Sequence, residues 1–186
     1  LYNTLLSGIA QDGKSFFYVN PLEVWPDNCI ERTSKEHIKP VRQKWFGVAC
    51  CPPNIARTLA SMGQYIYFTD KNTVYVNLYI SNEAQIDLDE GTTKIQIESD
   101  LTNTGHIVLK VTPDEGSTNN LAIRIPDYVK AYTIRKDGAL LEHQDICQAY
   151  LTIGGISKQT EIVIDFEVPA RFVRANPNVR EDVGKT

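Results

Sequence analysis

The chain is short of the features that mark several protein classes at sight. It has four cysteines in 186 residues, Cys29, Cys50, Cys51 and Cys147. Their spacing fits neither a disulfide framework nor a four-cysteine zinc ribbon. It has no basic excess: 19 lysines and arginines stand against 23 acidic residues, a formal net charge of −4. That balance gives no electrostatic reason to expect nucleic acid as a partner. It has no apolar run near the ~18–20 residues a bilayer-crossing helix needs, so no transmembrane helix is encoded and no membrane partner is expected. Internal repeats and low-complexity segments are also absent. A signal peptide is missing too, but the chain opens on Leu1 rather than Met, inside a helical pattern of Leu1, Leu5, Leu6 and Ile9. It therefore reads as a piece of a longer protein, and the missing signal says nothing about where the parent resides.

What is present is an ordinary globular composition, 42% hydrophobic and 23% charged, enough for one good domain or a small domain plus a fragment. Against that background the pair Cys50-Cys51, followed at once by Pro52-Pro53-Asn54, stands out. Adjacent thiols make a strained disulfide. The prolines open a helix, because proline is tolerated in the first turn. Ile55, Leu59 and Met62 carry that helix on one face, with Gly63 near its end. Two sulfurs are thus expected at a helix N-terminus, where the dipole and free N–H groups favour an anion, and so a thiolate ready to attack or bind metal. The competing reading is a pair of small buried hydrophobes, the usual fate of cysteine.

Two regions of different grammar follow one another. Residues 1–68 are mixed: a helix running to about Ala10, a turn at Asp12-Gly13, the aromatic stretch Phe16-Phe17-Tyr18-Val19, an irregular segment from 22 to 44, and the helix after the cysteines. From about Tyr65 the period changes to two. Eight strands are expected: 73–80, 84–88, 94–98, 106–111, 121–125, 131–135, 149–153 and 161–166, with turn signals such as Asp70-Lys71-Asn72 and Asp137-Gly138 between them. In Ile95/Ile97, Ile107/Leu109/Val111 and Ile162/Ile164/Phe166 one face is apolar, so residues 69–186 read as an antiparallel β-sandwich with one buried face per sheet.

Three blocks carry a resemblance to a known family. Phe16-Phe17-Tyr18-Val19-Asn20-Pro21-Leu22-Glu23, Pro40 through Gly47, and Cys50-Cys51-Pro52-Pro53-Asn54-Ile55-Ala56-Arg57 resemble glycoside hydrolase family 127, the β-L-arabinofuranosidase group. Val76-Asn77-Leu78-Tyr79 and Leu121 through Asp127 fit the same pattern, so the likeness covers nearly the whole chain in order. It implies a mixed, mainly β chain: the C-terminal remnant of an (α/α)6-barrel catalytic domain over residues 1–68, then the sandwich. It also implies a retaining exo-hydrolase that releases L-arabinofuranose from an arabinofuranoside-containing glycan or oligosaccharide. In such an enzyme Cys50 is the nucleophile, Cys50 and Cys51 share a zinc ion, and Tyr18 is an active-site residue. The acid/base glutamate and two further zinc ligands, a glutamate and a cysteine, belong upstream in the remainder of the barrel. The chain alone is accordingly expected not to hydrolyse, and its barrel remnant to expose an apolar helix face.

Other residues have two readings each. Arg42 either hydrogen-bonds a substrate hydroxyl or buttresses the loop through backbone carbonyls. Trp45 and Phe46 either stack on a sugar ring or fill a core. Glu23 is catalytic, or pairs with Arg42, or faces solvent. Cys29 and His37 fall in the irregular segment and could complete a metal site with the pair, though their spacing fits no zinc pattern. His106, His143 and Cys147 read as structural or exposed. A different class of function stays open as well, a non-catalytic carbohydrate-binding or structural sandwich. Its discriminating feature is whether Tyr75, Tyr79, Tyr128, Tyr132 and Tyr150 gather on one exposed surface.

Overall fold

The computed structural model describes residues 4–20, 38–142 and 146–180. These divide into two compact units, Leu1–Gly63 and Gln64–Thr186. In the first, helix α1 covers Thr4–Ser7 and helix α2 covers Pro52–Ala60. A short helix α3, Gly63–Ile66, leads into the second unit.

The first helix ends earlier than its leucine spacing suggested. Past Ser7 the chain turns extended: Ile9 bridges Phe16, and Phe16 bridges Gln43 on its other side. The Phe16 N–H donates to the Gln43 carbonyl at 3.0 Å, and the Gln43 N–H returns to the Phe16 carbonyl at 2.9 Å. Helix α2 also stops short of Met62, at Ala60, where Ser61 N–H and Oγ both donate to the Arg57 carbonyl.

The second unit is a two-sheet sandwich. Its strands are β1 (Tyr67–Asp70), β2 (Thr73–Val76), β3 (Asn82–Leu88), β4 (Gly91–Asp100), β5 (His106–Pro113), β6 (Asn119–Arg124), β7 (Ala131–Lys136), β8 (Ala139–Leu140), β9 (Ile146–Cys147), β10 (Tyr150–Ile156) and β11 (Thr160–Glu167). One sheet runs β1-β2-β6-β10-β9 and the other β3-β4-β5-β11-β7-β8. All eight expected strands are found, some with shifted ends, and β1, β8 and β9 are additional. The Asp137-Gly138 turn joins β7 to β8 with φ of 49° and 81°, the doubly left-handed turn that suits a tight hairpin.

One strand end needs correcting, and one pairing departs from the expected antiparallel pattern. The strand begun at Thr73 ends at Val76 rather than Ile80. Residues 77–80 instead carry the chain from one sheet to the other, with the Asn77 N–H bonded to the Ile66 carbonyl and the Tyr79 hydroxyl to the Arg124 carbonyl. The sandwich is antiparallel as expected except at one pair: β2 and β6 run parallel, with Val74 opposite Leu121 and Val76 opposite Ile123. Parallel neighbours need a crossover rather than a hairpin, and here β3, β4 and β5 of the other sheet supply it.

Alternate positions on each strand point inward and are almost fully buried: Val74 and Val76, Leu121 and Ile123, Leu151 and Ile153 from one sheet, and Ile95 and Ile97, Ile107 and Leu109, Ile162 and Ile164 from the other. Each such side chain contributes ~1.5–3 kcal/mol by leaving water. Gly105 closes one end. At φ +77° it lies so close that an added Cβ would stand 2.1 Å from the Phe166 carbonyl oxygen. The Phe166 N–H donates to the Gly105 carbonyl at 3.0 Å.

Candidate active site

Cys51 occupies the N-cap of α2, with Pro52 and Pro53 in the first two helical positions. Cys50 precedes it, and both thiols are free and exposed. In this chain neither thiol is buried. The expectation of free N–H groups at this helix end does need correcting. Proline has no N–H, so two of the usual unpaired donors do not exist here. The next, of Asn54, donates to the Cys51 carbonyl at 3.0 Å. What remains of the helix-end effect is the dipole and the Cys51 N–H itself.

That N–H meets Tyr18. The Tyr18 oxygen accepts from the Cys51 backbone, and its O–H donates to the Cys51 sulfur. Partial burial, foremost, pushes the Tyr18 hydroxyl above its ordinary pKa. The Cys51 N–H pulls the other way, while the Cys51 sulfur and the negative charge on Cys51 and Cys50 add to the rise. The phenol is thus held as a proton donor facing the pair.

Phe46 positions Tyr18. It is buried, and its ring packs on Phe16 at 5.4 Å and edge-on against Tyr18 at 5.3 Å. Trp45, the neighbouring candidate for sugar stacking, is 80% exposed. The two neighbouring rings thus part: one anchors the aromatic block and the other faces solvent. Arg42 lies with its guanidinium 4.8 Å above the Phe17 ring and donates to the Ser7 carbonyl. In this arrangement it ties the aromatic block to the end of α1. Beside the start of α2 lies an apolar cavity of about 450 Å³, lined by Ile9, Phe16, Pro52, Pro53, Ile55 and Leu59. No residue of α2 is fully buried.

Glu23, Cys29, His37 and His143 lie outside the described residues. Cys147 is exposed on β9. Among the described residues no three His, Cys, Asp or Glu side chains are grouped to hold a metal ion. The tyrosines of the sandwich do not form one platform: Tyr75 meets Tyr150 edge-on at 5.2 Å, and Tyr79 is buried against Phe166. Sequence reasoning missed the pairing of Asp165 with His106, at 2.6 Å, and with Arg135, at 3.0 Å. Its only signal was cross-strand register, which the sequence does not display.

Residues 1–64 match the GH127 β-L-arabinofuranosidase catalytic domain, and residues 73–169 match the GH127 middle domain. The chain belongs to glycoside hydrolase family 127. Among individual relatives, it is 34% identical over 196 aligned residues to a non-reducing end β-L-arabinofuranosidase of Bifidobacterium longum subsp. longum. That alignment takes in 100% of this chain and 28% of the relative. The crystal structure of a GH127 β-L-arabinofuranosidase from Geobacillus stearothermophilus T6 superposes with a TM-score of 0.80 at 39% identity, over 96% of this chain and 28% of that one. A second GH127 β-arabinofuranosidase structure gives a TM-score of 0.80 at 33% identity, over 98% and 30% of the two chains. The GH127 chain thus spans less than a third of these relatives' length, and joins a stretch that matches the catalytic domain to a β-sandwich middle domain. No described helix is long and apolar enough to cross a membrane.

Proposed function

We propose that this chain contributes the nucleophile, Cys50, and half of a zinc site, Cys50 with Cys51, to a retaining β-L-arabinofuranosidase. The observation that carries the reading is the exposed vicinal pair at the start of α2 with the Tyr18 hydroxyl donating to it. The family membership supports the reaction class.

In a retaining glycosidase the nucleophile attacks the anomeric carbon while an acid protonates the departing oxygen; water then releases the sugar with its configuration kept. A thiolate can take the usual carboxylate's place through a thioglycosidic bond, and it leaves again as thiolate. Cys50, exposed and first of the pair, is the sulfur assigned to attack. Tyr18 donates a hydrogen bond to the neighbouring Cys51 and so faces the pair with its hydroxyl. Phe46 keeps Tyr18 in place, and Arg42 ties the aromatic block that carries Tyr18 to the end of α1. Trp45 remains a candidate for contact with substrate.

The pair fits zinc by donor chemistry. Thiolates are among its preferred ligands, but a tetrahedral set needs four, and two exposed sulfurs supply half. When bound, zinc would hold its coordinating thiols deprotonated at neutral pH. The other two donors and the general acid are assigned to the part of the enzyme this chain does not span, the remainder of the barrel.

The test uses the full-length enzyme. Cys50→Ser should lower turnover of an aryl L-arabinofuranoside by about a thousandfold or more, as loss of a nucleophile does, while Cys51→Ser should chiefly lower zinc per mole of protein. Near-normal turnover in Cys50→Ser would make the pair structural and return the nucleophile to a carboxylate.

A further inference from the structure

The interior of the sandwich is mostly aliphatic, and its exceptions gather at one end. The buried polar side chains among the described residues are Asn77, Thr93, Ser117, Asn119 and Thr160. All but Asn77 belong to the end where β4 and β6 begin. Thr93 lies opposite Pro113, the last residue of β5, and Thr160 lies opposite Val111. The Asp114 N–H donates to the Thr92 carbonyl at 2.9 Å, and the Asp114 carboxylate accepts from the Thr92 N–H at 2.7 Å. A Cβ added to Gly91 would stand 3.7 Å from the Cβ of Ser117. The start of β4 and the approach to β6 therefore lie side by side, with Thr93 two residues past Gly91 and Asn119 two past Ser117. Both side chains take inward positions, in phase with Ile95 and Ile97 on β4 and with Leu121 and Ile123 on β6.

Two of these side chains are satisfied by their own loops. Ser117 Oγ donates to the Asp114 carbonyl at 2.7 Å, and Thr160 Oγ1 donates to the Lys158 carbonyl at 3.0 Å. The other two are not. Thr93 Oγ1, Asn119 Nδ2 and Asn119 Oδ1 are buried with no partner among the described residues. Thr93 is 0% exposed and Asn119 1%. Unpaired polar groups in an interior are costly, and each one calls for a partner. We infer that these atoms form an internal hydration site, in which a buried water bridges Thr93 and Asn119 between the two sheets. The inference does not depend on the cysteine chemistry proposed above.

The ligand class follows from the donors and acceptors. Asn119 Nδ2 needs an acceptor and Asn119 Oδ1 a donor, while the Thr93 hydroxyl serves as either. A cation would face the Nδ2 protons, and an anion the Oδ1 lone pairs. An organic ligand has no way past side chains so nearly inaccessible. Water donates and accepts at once, and it is retained inside proteins where otherwise unsatisfied polar groups surround it. The neighbouring strand is irregular at the same level: the register of β10 against β6 shifts between Ile153 and Ile156, and Ile156 is the partner of Asn119. Such bulges bend a strand and interrupt its ladder locally. The water ties the first residue of β6 to β4 of the opposite sheet, where the chain passes from one sheet to the other.

The experiment is NMR on this chain, reading cross-peaks between water and the side-chain amide protons of Asn119. NOE and ROE cross-peaks of opposite sign mark through-space contact with a bound water, whereas chemical exchange gives the same sign in both. The site predicts opposite signs in the unaltered chain. It predicts loss of the contact in Thr93→Val, which keeps the side chain's shape and removes the hydroxyl. Denaturant unfolding gives a second reading. Thr93→Val should raise the unfolding equilibrium constant about fivefold, as loss of one hydrogen bond does. A hydroxyl buried dry would give the reverse, because its removal relieves an unpaired group. Three results would each overturn the proposal: no water contact at Asn119, a contact unchanged in Thr93→Val, or a lower unfolding constant in that variant.

Discussion

Asp165 shows how a single residue couples packing to solution conditions. Its carboxyl is held below the ordinary aspartate pKa, first by the hydrogen bond to His106, with the positive charge of His106 and the Arg135 contact adding to the effect and partial burial opposing it. A group whose pKa is lower folded than unfolded contributes stability above its unfolded value and loses it as the pH falls through the folded value. The sandwich should therefore lose stability on acidification below about pH 5. That loss should be shallower in Asp165→Asn, which has no proton to take up at this position. Urea midpoints for both proteins between pH 6 and pH 3 check it, and identical slopes would remove Asp165 from the account. Because the side chain is 43% exposed, solvent screens the pair and the effect at neutral pH stays modest. Tyr18 makes a similar point at the candidate site: its place against Cys51 follows from Phe46, a buried ring next to a largely exposed Trp45.

Among elements, β11 is the organising strand of its sheet, paired to β5 on one side and β7 on the other. Its inward residues Ile162 and Ile164 are fully buried, whereas Val163 between them is half-buried on the outer face. Ile164→Ala should cost about 2–5 kcal/mol, a transfer and cavity term together, and Val163→Ala under about 1 kcal/mol. Denaturant unfolding of the two variants distinguishes them; equal losses would mean the outer face is covered by something that packs as a core does. The same alternation made these strands legible from sequence, since Ile162, Ile164 and Phe166 repeat at period two with polar neighbours. Strand partners were not legible. The parallel β2–β6 pair follows from a crossover through the other sheet, which no local pattern encodes, and β8 and β9 are two residues each, too short for a period. The helices were misjudged at their ends for a related reason: α1 stops at Ser7 because Ile9 is recruited by Phe16, a tertiary pairing invisible to helical spacing. The two prolines of α2 did mark its start, and their missing N–H groups could have been read off the sequence as well.

For the whole molecule, the chain joins two compact units of different make-up. The unit Leu1–Gly63 carries the cysteine pair, Tyr18 and an apolar cavity beside α2, and the unit Gln64–Thr186 is a well-packed sandwich. The cysteine pair was conspicuous in the sequence because its dipeptide and flanking prolines are rare together; its partners were not, as Tyr18 stands 33 positions before Cys51 in the chain. The central claim is that Cys50 is the atom donor that attacks sugar. It is tested most directly by treating the full-length enzyme with an electrophilic L-arabinofuranose analogue, digesting it, and locating the added mass by peptide mass spectrometry. The account predicts one adduct, on the sulfur of Cys50, formed in step with loss of turnover and prevented by free arabinose. An adduct on a carboxylate, with Cys50 unmodified in fully inactivated enzyme, would contradict it.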